Sequence, residues 1–133
     1  GAPDLALGMV DVRDVARAHI SAGFTPAAHG RYLTNARTIT MLQIGQILRK
    51  RFGRSYPFPY TKLPKAMFRL VGPFVGYTRE FIDQNVGWPL EFDSSRSTKE
   101  LGLVYRSADE TLADHFQQMI DDGLTHKPIG ASR

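Results

Sequence analysis

GMVDVRDVARAH, residues 8–19, is the stretch that decides the fold, because it indicates a short strand running directly into a helix. The apolar residues over 9–12 include β-branched side chains, which is typical of a short buried strand. Asp14 is of a type that favours helix N-caps, and alanines at helical spacing follow it. We therefore predict a strand over 9–12 and a helix over 14–22, with Asp14 as a structural cap rather than a catalytic residue.

Length and composition indicate one soluble globular domain. The chain has 133 residues, of which 42% are hydrophobic and 23% charged, enough for a real core. The absence of cysteine excludes disulfides, thiol catalysis and cysteine-based zinc sites. No apolar run reaches the length of a membrane span and no signal-peptide pattern is present, so we expect no membrane partner and a cytoplasmic location.

The net charge of +4 raises the question of an anionic partner. The densest basic cluster is Arg49-Lys50-Arg51, with Arg54 just beyond it, at the end of a predicted helix. Cations complement the helix dipole at that end, so a solvated last turn is the simplest interpretation. A phosphate-binding patch is the alternative, and nucleic-acid binding is not expected.

Element signals along the chain predict a small, helix-dominated α/β fold, with five to six helices and short strands near 9–12, 31–34 and 90–93. Thr40 and Gln43 form a capping-box pattern that begins a helix ending at Gly53. Ser107 begins the last helix, and Gly123 ends it. Three further helices are predicted: one from Leu63-Pro64, with a buried side of Met67, Phe68, Leu70 and Val71, one ending at Gly87 and one ending at Gly102.

Recognisable catalytic machinery is missing from the sequence. There is no Gly-x-Gly loop for a dinucleotide, no Gly-x-Ser-x-Gly elbow, and no Tyr followed four residues later by Lys. The four histidines are scattered, without metal-ligand spacing. We therefore assign no catalytic, cofactor-binding or metal residue to this chain.

Several blocks resemble the C-terminal part of extended short-chain dehydrogenases/reductases, in particular the dihydroflavonol reductase-like and NAD-dependent epimerase/dehydratase group. Residues 9–19 resemble the family's strand-to-helix signature, and residues 93–103 resemble its late strand and short helix ending in Leu-Gly. Residues 30–33, 40–44 and 105–112 match in the family's order. The resemblance covers about residues 8–123, preceded by a lead-in over 1–7 and followed by a flexible tail over 124–133.

The resemblance implies a Rossmann domain that binds NAD or NADP, followed by the smaller substrate-binding lobe present here. We therefore expect a fragment whose missing partner is the N-terminal Rossmann domain, and no cofactor bound to the fragment itself. It further implies that residues 9–12 pair with residues 90–92. The strand over 31–34 would join the missing sheet, and its exposed edge would favour a homo-oligomer.

The resemblance also implies that this lobe walls the substrate pocket of the parent enzyme. The pocket candidates are aromatic residues of the irregular middle region: Tyr56, Phe58, Tyr77 and Trp88. Plain core packing is the alternative interpretation of each.

The function that we expect is therefore that of the substrate-binding part of an NAD(P)-dependent oxidoreductase that reduces a small carbonyl compound, such as a dihydroflavonol, aldehyde or ketone. The fragment alone is expected to be inactive. The alternatives are a fragment of a nucleotide-sugar epimerase or dehydratase, or a stand-alone module that binds protein or nucleic acid.

Overall fold

Six α-helices and four short strands lie within residues 1–125, the part of the chain that the computed structural model describes. The strands are β1 (Ala2–Pro3), β2 (Ala6–Met9), β3 (Arg37–Thr40) and β4 (Lys62–Leu63). The helices are α1 (Val12–Phe24), α2 (Met41–Phe52), α3 (Lys65–Val71), α4 (Arg79–Asn85), α5 (Ser95–Leu101) and α6 (Ala108–Asp121). The predicted class, helix-dominated α/β, is confirmed. Of the predicted tail over 124–133, residues 126–133 lie outside the described residues.

The N-terminal caps of α2 and α6 follow the sequence predictions. Thr40 accepts a hydrogen bond from the Gln43 amide at 3.3 Å, and the Gln43 side chain accepts one from the Thr40 amide at 2.8 Å. Ser107 caps α6 by accepting from the Glu110 amide at 3.2 Å. Because such caps satisfy donors within four residues, they are readable from local sequence.

The start of α1 differs from the prediction. Asp11, not Asp14, is the N-cap: its backbone is extended, and its side chain accepts from the Arg13 amide at 2.8 Å. The helix therefore begins at Val12, and the preceding strand β2 ends at Met9 instead of continuing to residue 12. Asp14 lies inside the first turn of α1, where it is 1% exposed.

The predicted strand over 31–34 does not form. β2 pairs antiparallel with β3 instead, placing Leu7 opposite the buried Ile39. The carbonyls around residue 31 are held by a side chain: Arg96 donates to the carbonyl oxygens of His29 at 2.6 Å and Arg31 at 3.0 Å. A strand needs a paired neighbour, and none of the described residues pairs with 31–34.

The predicted strand over 90–93, and its pairing with residues 9–12, are also wrong, because residues 89–94 lie outside any strand. Pro89 has no amide hydrogen to donate to a ladder. The two segments nevertheless meet through a side chain. The Phe92 ring lies over Gly8, so close that a Cβ at Gly8 would be 2.6 Å from Phe92 Cε2.

The segment over 1–7, predicted as a lead-in, forms β1 and the first half of β2. β1 pairs in parallel with β4, with Ala2 opposite Lys62. Asp4 continues this attachment through an ion pair with Lys62 at 2.7 Å and a carbonyl oxygen that accepts from the Gly87 amide at 2.8 Å. The first five residues therefore connect the α3–α4 region to the rest of the chain.

Two separate clusters hold six of the ten buried apolar side chains of the described residues. Ala18, Leu101 and Leu103 join α1 to α5, whereas Phe68, Ile82 and Val86 join α3 to α4. The buried side predicted for α3 is reduced to Phe68, since Met67, Leu70 and Val71 are 53%, 66% and 41% exposed. A helix of seven residues packed against one short neighbour can bury only a narrow stripe. No described helix is both long and apolar enough to cross a membrane.

Gly45 on α2 permits a close approach of the loop that follows the helix. A Cβ at this position would lie 2.6 Å from the carbonyl oxygen of Pro59. We predict that Gly45→Ala lowers the free energy of unfolding by about 1–3 kcal/mol, because backbone must move to make room. Urea titration followed by circular dichroism measures the change.

Gly23→Ala is the matched control, because a Cβ on Gly23 in α1 meets no atom within 4 Å. This variant should leave stability unchanged or raise it by up to about 1 kcal/mol. Equal destabilisation by the two substitutions would contradict the packing argument for Gly45.

Candidate functional site

The junction between the start of α1 and the start of α6 is the most highly connected polar region. The carboxylate of Asp14, whose side chain is 2% exposed, forms an ion pair with the Arg106 guanidinium. Its second oxygen accepts from the Arg106 amide at 2.7 Å. Both carboxylate oxygens of Asp14 therefore have a partner, and Asp14 connects α1 to the start of α6.

Asp11 forms a second connection at the same junction. Arg13 donates to both of its oxygens, from Nε at 2.9 Å and from a terminal nitrogen at 2.7 Å, and Thr111 donates to it at 3.0 Å. The Arg13 hydrogen bonds are the main cause that holds the pKa of Asp11 well below its ordinary range. A carboxylate held so firmly in its ionised form is a poor general acid or base near neutral pH.

A shallow cleft of about 520 Å³ lies beside this junction. Its wall includes Met9, Val10, Leu112, His115 and Gln118 as well as the ion-paired Arg13. Arg13 is already engaged by Asp11 and, at 2.9 Å, by Asp114. Among residues 1–125 no three His, Cys, Asp or Glu side chains are grouped so as to hold a metal ion. This cleft therefore offers neither a free cation nor a metal site.

A second cleft, of about 440 Å³, lies where the loop after α2 folds back on the helix. We call it the aromatic–arginine cleft, and it is lined by Arg49, Arg54, Tyr56, Pro57, Phe58 and Tyr60. The rings of Tyr56 and Phe58 each pack against Phe116 of α6, with centroids 5.0 Å apart in both cases. These contacts fix one wall of the cleft to α6.

Arg49 makes two contacts with the loop that lines the aromatic–arginine cleft. Its guanidinium carbon lies 4.7 Å from the centroid of the Tyr60 ring, and its terminal nitrogen donates to the carbonyl oxygen of Phe58. Cation–π contact and hydrogen bonding together hold the guanidinium at the cleft.

The four predicted pocket residues do not all lie together. Tyr56 and Phe58 lie in the aromatic–arginine cleft, with ring centroids 5.9 Å apart. Tyr77 packs instead on Phe68, at 5.3 Å between centroids. Trp88 is 60% exposed and donates from Nε1 to the carbonyl oxygen of Asp83. The structure therefore brings two of the four together, and Tyr77 and Trp88 do not line that cleft.

Sequence reasoning missed Arg49 and Arg54 as partners of these rings. The available signal was spacing: Gly45 and Arg49 are four residues apart and therefore share one face of α2. The small residue admits the returning loop, and the arginine meets it one turn later. The basic residues at the end of α2 were interpreted as a solvated last turn, because cations are common there for electrostatic reasons alone.

The chain is similar to solved structures but matches no protein-family model. No protein-family model and no curated protein matches the chain. Similar solved structures include gox2253, at 22% identity with a TM-score of 0.69 over 92% of this chain. They also include the yeast methylglyoxal/isovaleraldehyde reductase Gre2 complexed with NADPH, at 27% identity with a TM-score of 0.61 over 94%.

The chain has the fold of one part of these proteins. It spans 39% of gox2253 and 33% of Gre2. The expectation of a reductase-type fold is therefore supported at the level of architecture.

The buried ion pair at the α1–α6 junction generates a stability prediction. Arg106→Met leaves the buried Asp14 carboxylate without its partner and should lower the free energy of unfolding by about 2–4 kcal/mol. Adding Asp14→Asn to this variant should recover part of the loss, because the unpaired charge is gone. Urea titrations of the two single variants and the double variant measure the coupling. Simply additive losses would show that the pair is not coupled.

The lowered pKa of Asp11 generates a pH prediction. A carboxyl whose folded-state pKa is depressed stabilises the protein above its unfolded pKa of about 3.9, and this stabilisation disappears as the pH falls. The unfolding free energy of the native chain should therefore fall more steeply between about pH 5 and 3 than that of Asp11→Asn. Asparagine still caps a helix but cannot ionise, so the helix start is preserved. Identical pH slopes in the two proteins would refute this role of Asp11.

Proposed function

We propose that this chain is the substrate-side, C-terminal part of an NAD(P)-dependent oxidoreductase that reduces a small carbonyl compound by hydride transfer. The observation that carries the proposal is the match to the NADPH-complexed yeast reductase over 94% of this chain at 27% identity. The resemblance of residues 9–19 and 93–103 to extended short-chain reductases supports the same assignment.

The N-termini of the three longest described helices do not fit the pyrophosphate of a dinucleotide. Pyrophosphate sites use helix N-termini with free amides and little negative charge. Here the side chain of Asp11 caps the start of α1, and the capping box of Thr40 and Gln43 caps the start of α2. The first turn of α6 carries Asp109 and Glu110, which would repel phosphate. We therefore propose that the cofactor site and the hydride-transfer residues belong to the remainder of a longer protein.

An apolar stripe on α1 supports a contact with that remainder. Val12, Ile20 and Phe24 are 78%, 62% and 85% exposed and recur at multiples of four residues. Such spacing places them along one face of the helix. Leu33, which follows α1 in the sequence, is 44% exposed as well. We propose that the Rossmann domain covers this surface, and that without it a second copy of the chain does so.

The substrate pocket remains a proposal for Tyr56, Phe58, Tyr77 and Trp88. We compare two of the positions: the aromatic–arginine cleft, which Tyr56 and Phe58 share, and the exposed Trp88 beside Lys65. Replacing one residue from each place, Phe58→Leu and Trp88→Leu, in an active longer protein would show which place raises KM for the carbonyl substrate.

The test of the proposed function is an activity assay of the protein encoded by the complete reading frame. With NADPH and either methylglyoxal or isovaleraldehyde, we expect consumption of NADPH that depends on the aldehyde. The 133-residue chain alone is the control; it should consume none, and we expect it to bind NADPH no more tightly than about 1 mM. A folded full-length protein without cofactor-dependent carbonyl reduction would refute the proposal, as would turnover by the 133-residue chain.

A further inference from the structure

The positive charge at the C-terminal end of α2 exceeds the partial negative charge of the helix dipole there. Arg49, Lys50, Arg51 and Arg54 lie there within six residues, and none of them forms an ion pair with a described residue. A helix C-terminus presents only about half a negative charge. The surplus is therefore about three or more positive charges, in contrast to Arg96 or Arg106, which are paired with carboxylates.

Aromatic rings lie directly beside this surplus charge. The aromatic–arginine cleft combines two of the four cations, Arg49 and Arg54, with the rings of Tyr56, Phe58 and Tyr60. Its volume of about 440 Å³ falls within the range of small-molecule sites. Apolar walls with a few convergent polar groups are the usual composition of such sites.

Several contacts hold the cleft in shape without a ligand. The loop is pinned where Pro59 meets Gly45, and Arg49 binds the carbonyl oxygen of Phe58. The rings of Tyr56 and Phe58 are held by Phe116. A site whose walls are fixed before binding loses little conformational entropy on binding. Arg54 is the more exposed of the two arginines, and no described carboxylate forms an ion pair with its guanidinium.

We propose that the aromatic–arginine cleft binds a small organic anion in which a phosphate or carboxylate is attached to an aromatic ring. The guanidinium groups of Arg49 and Arg54 hold the anionic group, since arginine donates paired hydrogen bonds to carboxylate and phosphate oxygens. The ring of the ligand packs on the aromatic wall. This inference rests on side chains of this chain alone and does not depend on the proposed reductase function.

Isothermal titration of the 133-residue chain with four probes tests the ligand class. Phenyl phosphate and benzoate share the proposed chemistry, inorganic phosphate lacks the ring, and benzyl alcohol lacks the charge. We expect at least one of the two aromatic anions to bind with a dissociation constant below about 1 mM, and at least tenfold more tightly than inorganic phosphate and benzyl alcohol. The tighter of the two identifies the anionic group. Equal binding of inorganic phosphate, or no binding of either aromatic anion, would overturn the proposal.

Variants separate a built site from the general basic character of the helix end. Arg54→Gln should weaken binding of the aromatic anion about tenfold or more, because a charge-assisted hydrogen bond is lost. Arg51→Gln is the matched control, because it removes the same charge three residues away in the sequence. Arg51 does not line the cleft, so we expect less than about a twofold change. Equal weakening by both variants would show a diffuse field and refute the site.

Arg49→Lys gives a further readout, since it keeps the charge but loses the planar guanidinium over Tyr60. We expect it to weaken binding of the aromatic anion about fivefold or more, with the circular dichroism spectrum unchanged. Unchanged affinity in this variant would contradict the role given to Arg49. Since no probe is a nicotinamide cofactor, these results stand apart from success or failure of the reductase assay.

Discussion

The fold depends on one buried ion pair, between Asp14 in the first turn of α1 and Arg106 just before α6. The two residues are 92 positions apart in sequence, and the Asp14 side chain is 2% exposed. A carboxylate removed from water is costly unless a cation and hydrogen bonds replace its hydration, and both are supplied here by Arg106. The pair therefore sets the register of α1 against α6. Thr111 adds a second tie, by donating to Asp11.

Strands β2 and β3 and helix α2 adjoin the α1 side of the α1–α6 junction. Strand β2 leads into α1 and pairs with β3. Helix α2 follows β3 directly, so both elements are connected to the α1 end of the ion pair. Helix α2 then packs against α6, where Phe52 and Phe116 meet with ring centroids 4.9 Å apart. The cleft beside the α1–α6 junction and the aromatic–arginine cleft differ in their electrostatics. At the α1–α6 junction the charges are matched, whereas at the far end of α2 the cations remain unmatched.

The sequence predicted local features of the structure and missed those that need a partner. The caps at Thr40 and Ser107 are formed by residues three positions apart and were predicted correctly. Asp11 and Asp14 could both cap α1, and only the distant Arg106 explains why the second is buried inside the helix. Likewise, residues 31–34 have strand-like composition but no strand beside them within residues 1–125.

The same distinction applies to the candidate site. The rings of Tyr56 and Phe58 could be named from an irregular aromatic stretch. The contact of Arg49 with this stretch could not be predicted, because it forms only when the loop folds back across Gly45. A contact between a helix and its own following loop leaves little trace in composition or periodicity. It depends on a small side chain at one position and a long one a single turn later.

The first five residues bear on how readily the α3–α4 region opens locally. They connect the α3–α4 region to the remainder through the β1–β4 pairing, the Asp4–Lys62 ion pair and the bridge between Leu5 and Val86. The two apolar cores are otherwise separate clusters of buried side chains. Detaching a short terminal strap costs far less than unfolding a whole domain. We therefore expect α3 and α4 to open locally more readily than the ion-paired ends of α1 and α6.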